Sequence, residues 1–244
     1  MKSSSFTGVG GPGLPNAGPP VTPELGVEPA PRSELACRVL NVAIASVALL
    51  VLAPLFVIVA FVVWVSSRGP IFYTQTRVGL DRRWNQARAL SERRAEDLGG
   101  APFTIFKFRS MTVDAESSGA AVWATKQDAR VTRVGGILRK TRLDEMPQLI
   151  NVLRGEMNIV GPRPERPSIF VRLRENIDEY PLRQRVKPGI TGWAQINHSY
   201  DSCIEDVRRK VELDLHYIQR QCIAEDVKIM AMTIPVMVFR KGGW

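Results

Sequence analysis

Between Val39 and Val65 this chain carries no charged side chain. At about 1.5 Å rise per residue, a helix over that run reaches through a hydrocarbon core roughly 30 Å thick. The run is too long for the apolar stretch of a signal peptide, lacks a clear small-residue cleavage site and follows a tail without a strongly basic start. It is therefore expected to stay in the mature protein. Pro54 stands in the middle of it, where it removes one helical hydrogen bond and crowds the preceding turn. Two geometries are open: a kinked helix that spans the bilayer, since proline is tolerated in membrane helices, or a helix that breaks at Pro54 and returns to the face it entered. In either case Arg68, Arg77, Arg82 and Arg83 come closely after it and place the larger C-terminal part on the cytoplasmic side.

The rest of the chain is organised around that segment. Residues 1–34 hold seven prolines among glycines and small polar residues, a composition that buries too little apolar surface to offset ordering, so a disordered tail is expected. Residues 35–68 form the membrane segment, 69–220 a single globular unit and 221–244 a terminal helix. Gly69 to Gln75 suggests a turn into a short extended piece, 82–100 a charged helix-compatible stretch, and Phe103 to Arg109 a strand rich in β-formers. Leu143 to Leu153 reads as a helix stopped by Gly155, with Thr141-Arg142-Leu143-Asp144 resembling a capping box and Pro147 near its first turn. Asp206 to Gln219 reads as another helix. Val227 to Phe239 is apolar but too short to span, contains Pro235 and is closed by Arg240 and Lys241, so a helix lying in the membrane interface is expected.

Composition narrows the chemistry. A formal charge of +9 favours an anionic partner such as lipid head groups, nucleotide phosphates or nucleic acid. Aromatic residues make up only 7% and no nucleic-acid reader motif is present, so nucleic acid is not expected as a partner. Cys37, Cys203 and Cys222 lie far apart and His198 and His216 are the only histidines, which excludes a disulfide framework and a histidine-rich metal site. With none of the common hydrolase, protease or nucleotide-fold motifs, any chemistry must rest on carboxylates and arginines.

Asp144-Glu145 is the densest candidate. Adjacent helical carboxylates point about 100° apart and can serve one centre in two roles, one attacking and one holding a metal. An acidic pair at a helix start ordinarily only complements the helix dipole, so its neighbourhood decides its weight. Arg139 and Arg142 precede it, and Gly161-Pro162-Arg163-Pro164 comes after the helix, two prolines bracketing an arginine. A rigidly presented guanidinium suits bidentate phosphate binding, because its planar fork matches phosphate oxygens and stays charged.

Five ordered blocks complete the pattern: Gly69-Pro70-Ile71-Phe72, Lys107-Phe108-Arg109-Ser110-Met111, Arg139 through Leu149, Val160 through Glu165 and Val186 through Gln195. Together they resemble the bacterial sugar transferase family, the monotopic phosphoglycosyl transferases, over roughly residues 36–240. The resemblance implies an α+β, mostly helical fold: a small cytosolic catalytic domain carrying a re-entrant, proline-broken helix and interfacial amphipathic helices at the bacterial inner membrane. It implies that Asp144 attacks the phosphate bearing the sugar of a UDP-sugar, that a covalent aspartyl phosphosugar forms and UMP leaves, and that polyprenyl phosphate then takes the sugar phosphate. This would be the first membrane step of a polysaccharide or glycoconjugate pathway. Glu145 would bind Mg²⁺. Arg139, Arg163, Arg183 and Asp214 fall where the family carries functional residues, and Lys107 joins the phosphate-binding set. Membrane lipid and a second copy of the chain are further candidate partners. Residues 82–101 are longer than the usual connection and Asn197-His198-Ser199 replaces a small glycine-containing run, departures that bear on which sugar is carried. The competing reading is a non-enzymatic, membrane-anchored docking or assembly protein, for which Asp144 and Glu145 would be dispensable.

Overall fold

The computed structural model describes residues 26–84, 98–113, 115, 128–198 and 203–238. The tail up to residue 25, most of the expected helix within 82–100, and the closing Phe239, Arg240 and Lys241 lie outside the described residues. The architecture is α+β and mostly helical.

Helix α1 covers Glu34–Ser66 and continues through Pro54. Its start is capped by the Ser33 hydroxyl, which accepts from the Ala36 amide at 3.3 Å. Cys37, Asn41 and Ala45 are buried at four-residue spacing near its start, Val59 and Val63 near its end, and none between. Ala45 packs with Phe103, Leu149, Val152 and Met157, and Val59 and Val63 pack with Phe108 and Leu138. Residues 50–54 belong to neither cluster. Elsewhere Leu50, Val51, Val57, Ile58, Phe61 and Trp64 are exposed, a contiguous apolar surface that hydrocarbon accommodates and water does not.

Both ends of α1 are fastened by polar bonds to the same domain. Arg38 donates to the Val152 and Leu153 carbonyls at 2.5 and 2.6 Å, satisfying the orphan C-terminal carbonyls of helix α3 (Gln148–Arg154). Asn41 accepts the Ile159 amide at 2.5 Å. At the other end, Arg109 donates to the Ser67 carbonyl at 2.6 Å, the Ser67 hydroxyl at 2.9 Å and the Pro70 carbonyl at 2.5 Å. Arg109 is itself only 5% exposed.

Two small sheets complete the frame. Strand β1 (Phe72–Val78) pairs antiparallel with β2 (Pro102–Phe108), with Phe72 opposite Phe108 and Val78 opposite Pro102. The two facing rings stack at 5.3 Å between centroids. Strand β3 (Asn158–Val160) runs parallel to β4 (Gly189–Thr191). Between them stand α4 (Pro167–Arg174) and a 3₁₀ turn, Tyr180–Arg185. Helices α5 (Trp193–Asn197), α6 (Ile204–Ile218) and α7 (Ile223–Val238) come last. The expected helix at Asp206–Gln219 is α6, and the apolar run from Val227 falls within α7, with Pro235 inside it and Val227, Ile234 and Met237 exposed.

The expected helix from Leu143 to Leu153 is corrected. Helix α2 (Arg133–Thr141), capped by Thr132, already consumes Thr141. The Thr141 hydroxyl donates backwards to the Ile137 and Leu138 carbonyls at 2.9 and 3.1 Å, so it cannot cap the next turn. Arg142 takes a left-handed conformation, φ 59°, and Leu143–Glu145 forms a single 3₁₀ turn. Pro147, which has no amide to donate, stands at the entrance of α3. Gly155 ends that helix with φ 80°, as expected.

Residues 26–33, the end of the proline-rich stretch, lie as extended chain against the α6–α7 junction. The Ala30 amide donates to the Ile218 carbonyl at 2.9 Å, Gln221 donates to the Ala30 carbonyl at 3.1 Å, Arg185 reaches the Val27 carbonyl, and Arg32 stands 3.5 Å from Asp226.

The Arg109 bonds carry a stability expectation. Arg109→Met should lower unfolding free energy by about 2–3 kcal/mol, the worth of charged hydrogen bonds to carbonyls left without donors, whereas Arg68→Met at an exposed position should change it little. Thermal unfolding of both variants in detergent checks this, and equal midpoints would refute it.

Candidate active site

The break between α2 and α3 is what exposes the acidic dyad to its partners. A 3₁₀ turn has three residues per turn, so Asp144 and Glu145 leave it about 120° apart. Both are nonetheless buried, 7% and 6% exposed. Buried carboxylates require partners, and Glu145 collects them from across the chain. Lys107 on β2 donates to its Oε1 at 2.7 Å, Arg163 donates to Oε1 at 2.5 Å and to Oε2 at 3.3 Å, and Arg142 stands 4.0 Å from Oε2. Burial pulls the Glu145 carboxyl upward, but Arg163 and Lys107 outweigh it and hold the group well below the usual carboxylate range.

Asp144 is treated differently. Its Oδ1 is buried without a hydrogen-bond partner. Burial, helped by the adjacent Glu145 charge and opposed by Lys107, Arg163 and Arg139, pushes its pKa up to about 6. The dyad thus holds one carboxylate saturated by cations and one under-solvated. At neutral pH the second remains mainly ionised, and a carboxylate short of hydrogen bonds is the better nucleophile.

Arg163 sits on a loop whose backbone is tied down residue by residue. The Gly161 amide donates to the Thr191 carbonyl at 2.9 Å, and the Pro162 carbonyl accepts from the Gly189 amide at 2.9 Å. Arg183 donates to the Arg163 carbonyl at 3.1 Å and Arg77 to the Pro164 carbonyl at 3.0 Å. The Glu165 carbonyl accepts from the Val78 amide at 2.8 Å. The backbone around Arg163 is thus held by these bonds as well as by the two prolines.

Below the loop lies a second ionic layer. Arg183, 1% exposed, donates from Nε to Asp214 at 2.6 Å and from Nη1 to the Tyr180 hydroxyl at 2.9 Å. Lys210 donates to Glu165 at 3.0 Å, with Arg77 at 4.0 Å from the same carboxylate. Burial raises the Glu165 carboxyl, but Lys210, Arg183 and Arg77 overcome it and hold the pKa at about 2.

Of the sequence-predicted residues, Asp144, Glu145, Lys107 and Arg163 therefore meet. Arg139, in the last turn of α2, adds its field at Asp144. Arg183 and Asp214 form the buried pair supporting the Arg163 loop. Arg142, Glu165 and Lys210 were not among the predicted site residues. A signal existed for Lys210: with Asp214 it occupies helical i, i+4 positions beside buried Val207, Val211 and Ile218, where a charge demands a partner.

A cleft of about 490 Å³ begins at Glu145, Arg142 and Arg163 and runs to apolar side chains of α1 and α7, including Leu52 and Val236. It joins the charged centre to apolar side chains of both helices. The sequence profile described as bacterial sugar transferase matches residues 32–240.

The chain belongs to the bacterial sugar transferase family. Three relatives indicate the range of this sugar transferase family. The chain is 42% identical over 201 residues to an undecaprenyl-phosphate glucose phosphotransferase of Komagataeibacter xylinus, covering 80% of the chain and 34% of that protein. It is 37% identical over 206 residues to a UDP-N-acetylgalactosamine-undecaprenyl-phosphate N-acetylgalactosaminephosphotransferase of Aeromonas hydrophila, covering 84% and 44%. It is 37% identical over 214 residues to a UDP-glucose:undecaprenyl-phosphate glucose-1-phosphate transferase of Caulobacter vibrioides, covering 86% and 73%. The chain thus spans less than half the length of the first two.

The Glu165 pairing gives a pH-dependent stability with a defined sign. Because the folded pKa lies below the ordinary value, the stabilisation is present above about pH 4.5 and is lost as pH falls toward 2. The free-energy difference between the wild type and Glu165→Gln should be about 3 kcal/mol near neutrality and shrink steadily below pH 4.5 in denaturant titrations. A difference independent of pH would refute it.

Proposed function

We propose that this chain transfers a sugar 1-phosphate from a UDP-sugar to polyprenyl phosphate, releasing UMP through a covalent aspartyl phosphosugar. The observation that carries the reading is the asymmetric dyad: Asp144, buried with an unpartnered oxygen, beside a Glu145 saturated by Lys107 and Arg163. In the first displacement an Asp144 oxygen attacks the sugar-bearing phosphorus, a new P–O bond forms, and the pyrophosphate P–O bond breaks with its electron pair leaving on UMP. In the second, a polyprenyl phosphate oxygen attacks the same phosphorus and the acyl-phosphate bond breaks, restoring the Asp144 carboxylate. Lys107 and Arg163, bound to Glu145 in the free protein, are the cations available to donor phosphates, and Arg142 and Arg139 enlarge the positive field.

Once Lys107 and Arg163 turn from Glu145 to the donor phosphates, the Glu145 carboxylate would offer the hard oxygen donors that Mg²⁺ favours. Among the described residues no group of three or more side-chain ligands converges, so donor phosphates and water would complete the shell. Bound there, the ion would offset negative charge on the phosphoryl oxygens.

The acceptor is a lipid, and the cleft's apolar end at Leu52 and Val236 suits its first isoprenoid units. Two separate displacements suit a soluble donor and a lipid acceptor that need not occupy the cleft together. The same reading favours a re-entrant α1 at the cytoplasmic face of the inner membrane. Arg38 and Asn41 near one end and Val63 and Ser67 near the other all bond or pack to one domain. A straight spanning helix would carry one of those ends to the opposite face.

Purified protein in nanodiscs, given Mg²⁺, polyprenyl phosphate and a panel of UDP-sugars, should release UMP from a preferred donor. Asp144→Asn should lower the rate by at least about a thousandfold, and full activity in that variant would overturn the mechanism. For topology, tags at Met1 and Trp244 should both be cytoplasmic; a periplasmic N-terminal tag would overturn re-entry while leaving the chemistry standing.

A further inference from the structure

We infer that Asn151 is a positioning residue for the transfer reaction, holding strand β2 at the place from which Lys107 reaches the Glu145 site. The inference rests on the transferase reading above, in which Lys107 serves the donor phosphates, and extends it to a residue that reading does not use. Asn151 stands within α3 and is 0% exposed. A buried carboxamide is costly unless its donors and acceptor are met. Here they are met by β2 and by Glu156. The Asn151 Oδ1 accepts from the Phe106 amide at 3.2 Å, and its Nδ2 donates to the Thr104 carbonyl and to the Glu156 carboxylate, each at 2.7 Å.

The bonds to β2 have the form of strand pairing. Among the described residues β2 pairs with one strand, β1, so its other edge presents backbone groups that need partners. The Thr104 carbonyl and the Phe106 amide point to the same edge, as groups two residues apart on a strand do. Asn151 carries a donor and an acceptor on one planar group and takes the place a neighbouring strand would fill. Glu156, whose amide donates to the Asn151 carbonyl at 3.0 Å, accepts the second N–H and so orients the carboxamide.

Two charges that arrive by different routes are thereby referred to one helix. Glu145 belongs to the turn that leads into α3, and Lys107 comes directly after Phe106 on β2. One is placed by the chain itself, the other through Asn151, and they meet at 2.7 Å. Phe103 and Ile105 also share a core cluster with Leu149 and Val152. Such apolar contact is non-directional and does not set how far along the helix the strand stands, whereas a bonded carbonyl and amide do. Misplacing a charge-stabilising group by about 1 Å can cost on the order of a hundredfold in rate.

A double-mutant cycle on UMP release separates this role from a merely structural one. Asn151→Leu keeps roughly the volume and removes the hydrogen bonds. It should lower kcat/KM for the UDP-sugar by about ten- to a hundredfold while Lys107 is present. In a Lys107→Met background the same change should cost less than about twofold, because no ammonium is left to misplace. A general loss of folded enzyme would lower the rate by one factor in both backgrounds, and that multiplicative result would overturn the inference. Undiminished activity in Asn151→Leu or in Lys107→Met would overturn it as well. Single-turnover UMP formation supplies the same ratio where steady-state turnover of Lys107→Met is too slow to time. Should Asn151→Leu fail to fold, Asn151→Asp keeps the shape and the acceptor for Phe106 but removes the donor to Thr104, and the same cycle decides the matter. No UMP from any donor with the wild type would instead overturn the transferase reading beneath it.

Discussion

The loop from Gly161 to Glu165 is the constraint on which the rest of the site depends. Each of its five residues gives or receives a hydrogen bond at its backbone, and the partners lie on three other parts of the chain: β4, the 3₁₀ turn carrying Arg183, and β1. That network fixes Arg163 against Glu145, and Glu145 in turn draws Lys107 from β2. Arg183 illustrates the cost of such an arrangement. A guanidinium fully removed from water is tolerable only because Asp214, the Tyr180 hydroxyl and the Arg163 carbonyl meet its three nitrogens. Through the Arg163 carbonyl it ties the loop to this buried pair.

The second constraint is the apolar helix. Arg38 and Arg109 act as reciprocal caps: one extends from α1 to the end of α3, the other from the end of β2 to the end of α1. Guanidinium groups suit this task because their fork bonds several carbonyls at once. The apolar helix and the Asp144-Glu145 turn therefore share one frame, since α3 comes directly after that turn. One cleft thus joins the charged loop to the apolar side chains of α1 and α7.

Much of the fold was legible in local pattern. The uncharged run, the strand at Phe103, the helix at Asp206 and the stop at Gly155 each arise from periodicity or from a residue with one preferred conformation. The capping box at Thr141 was misjudged because side-chain capping competes with bonding back into the preceding turn, and α2, unanticipated in the sequence, had already claimed that hydroxyl. The docking of residues 26–33 was equally illegible, since its anchors, Gln221, Ile218 and Arg185, lie far away in sequence.

By itself the sequence determined the kinds of group available: an apolar segment, an acidic pair, a proline-bracketed arginine and a surplus of cations, all properties of neighbouring residues. Tertiary structure alone decided how the two carboxylates differ. Whether a carboxylate is saturated by cations or left short of partners depends on which charges from β2 and from the Gly161 loop come within about 3 Å of it. Electrostatic and hydrogen-bond energies fall off over distances that only folding sets.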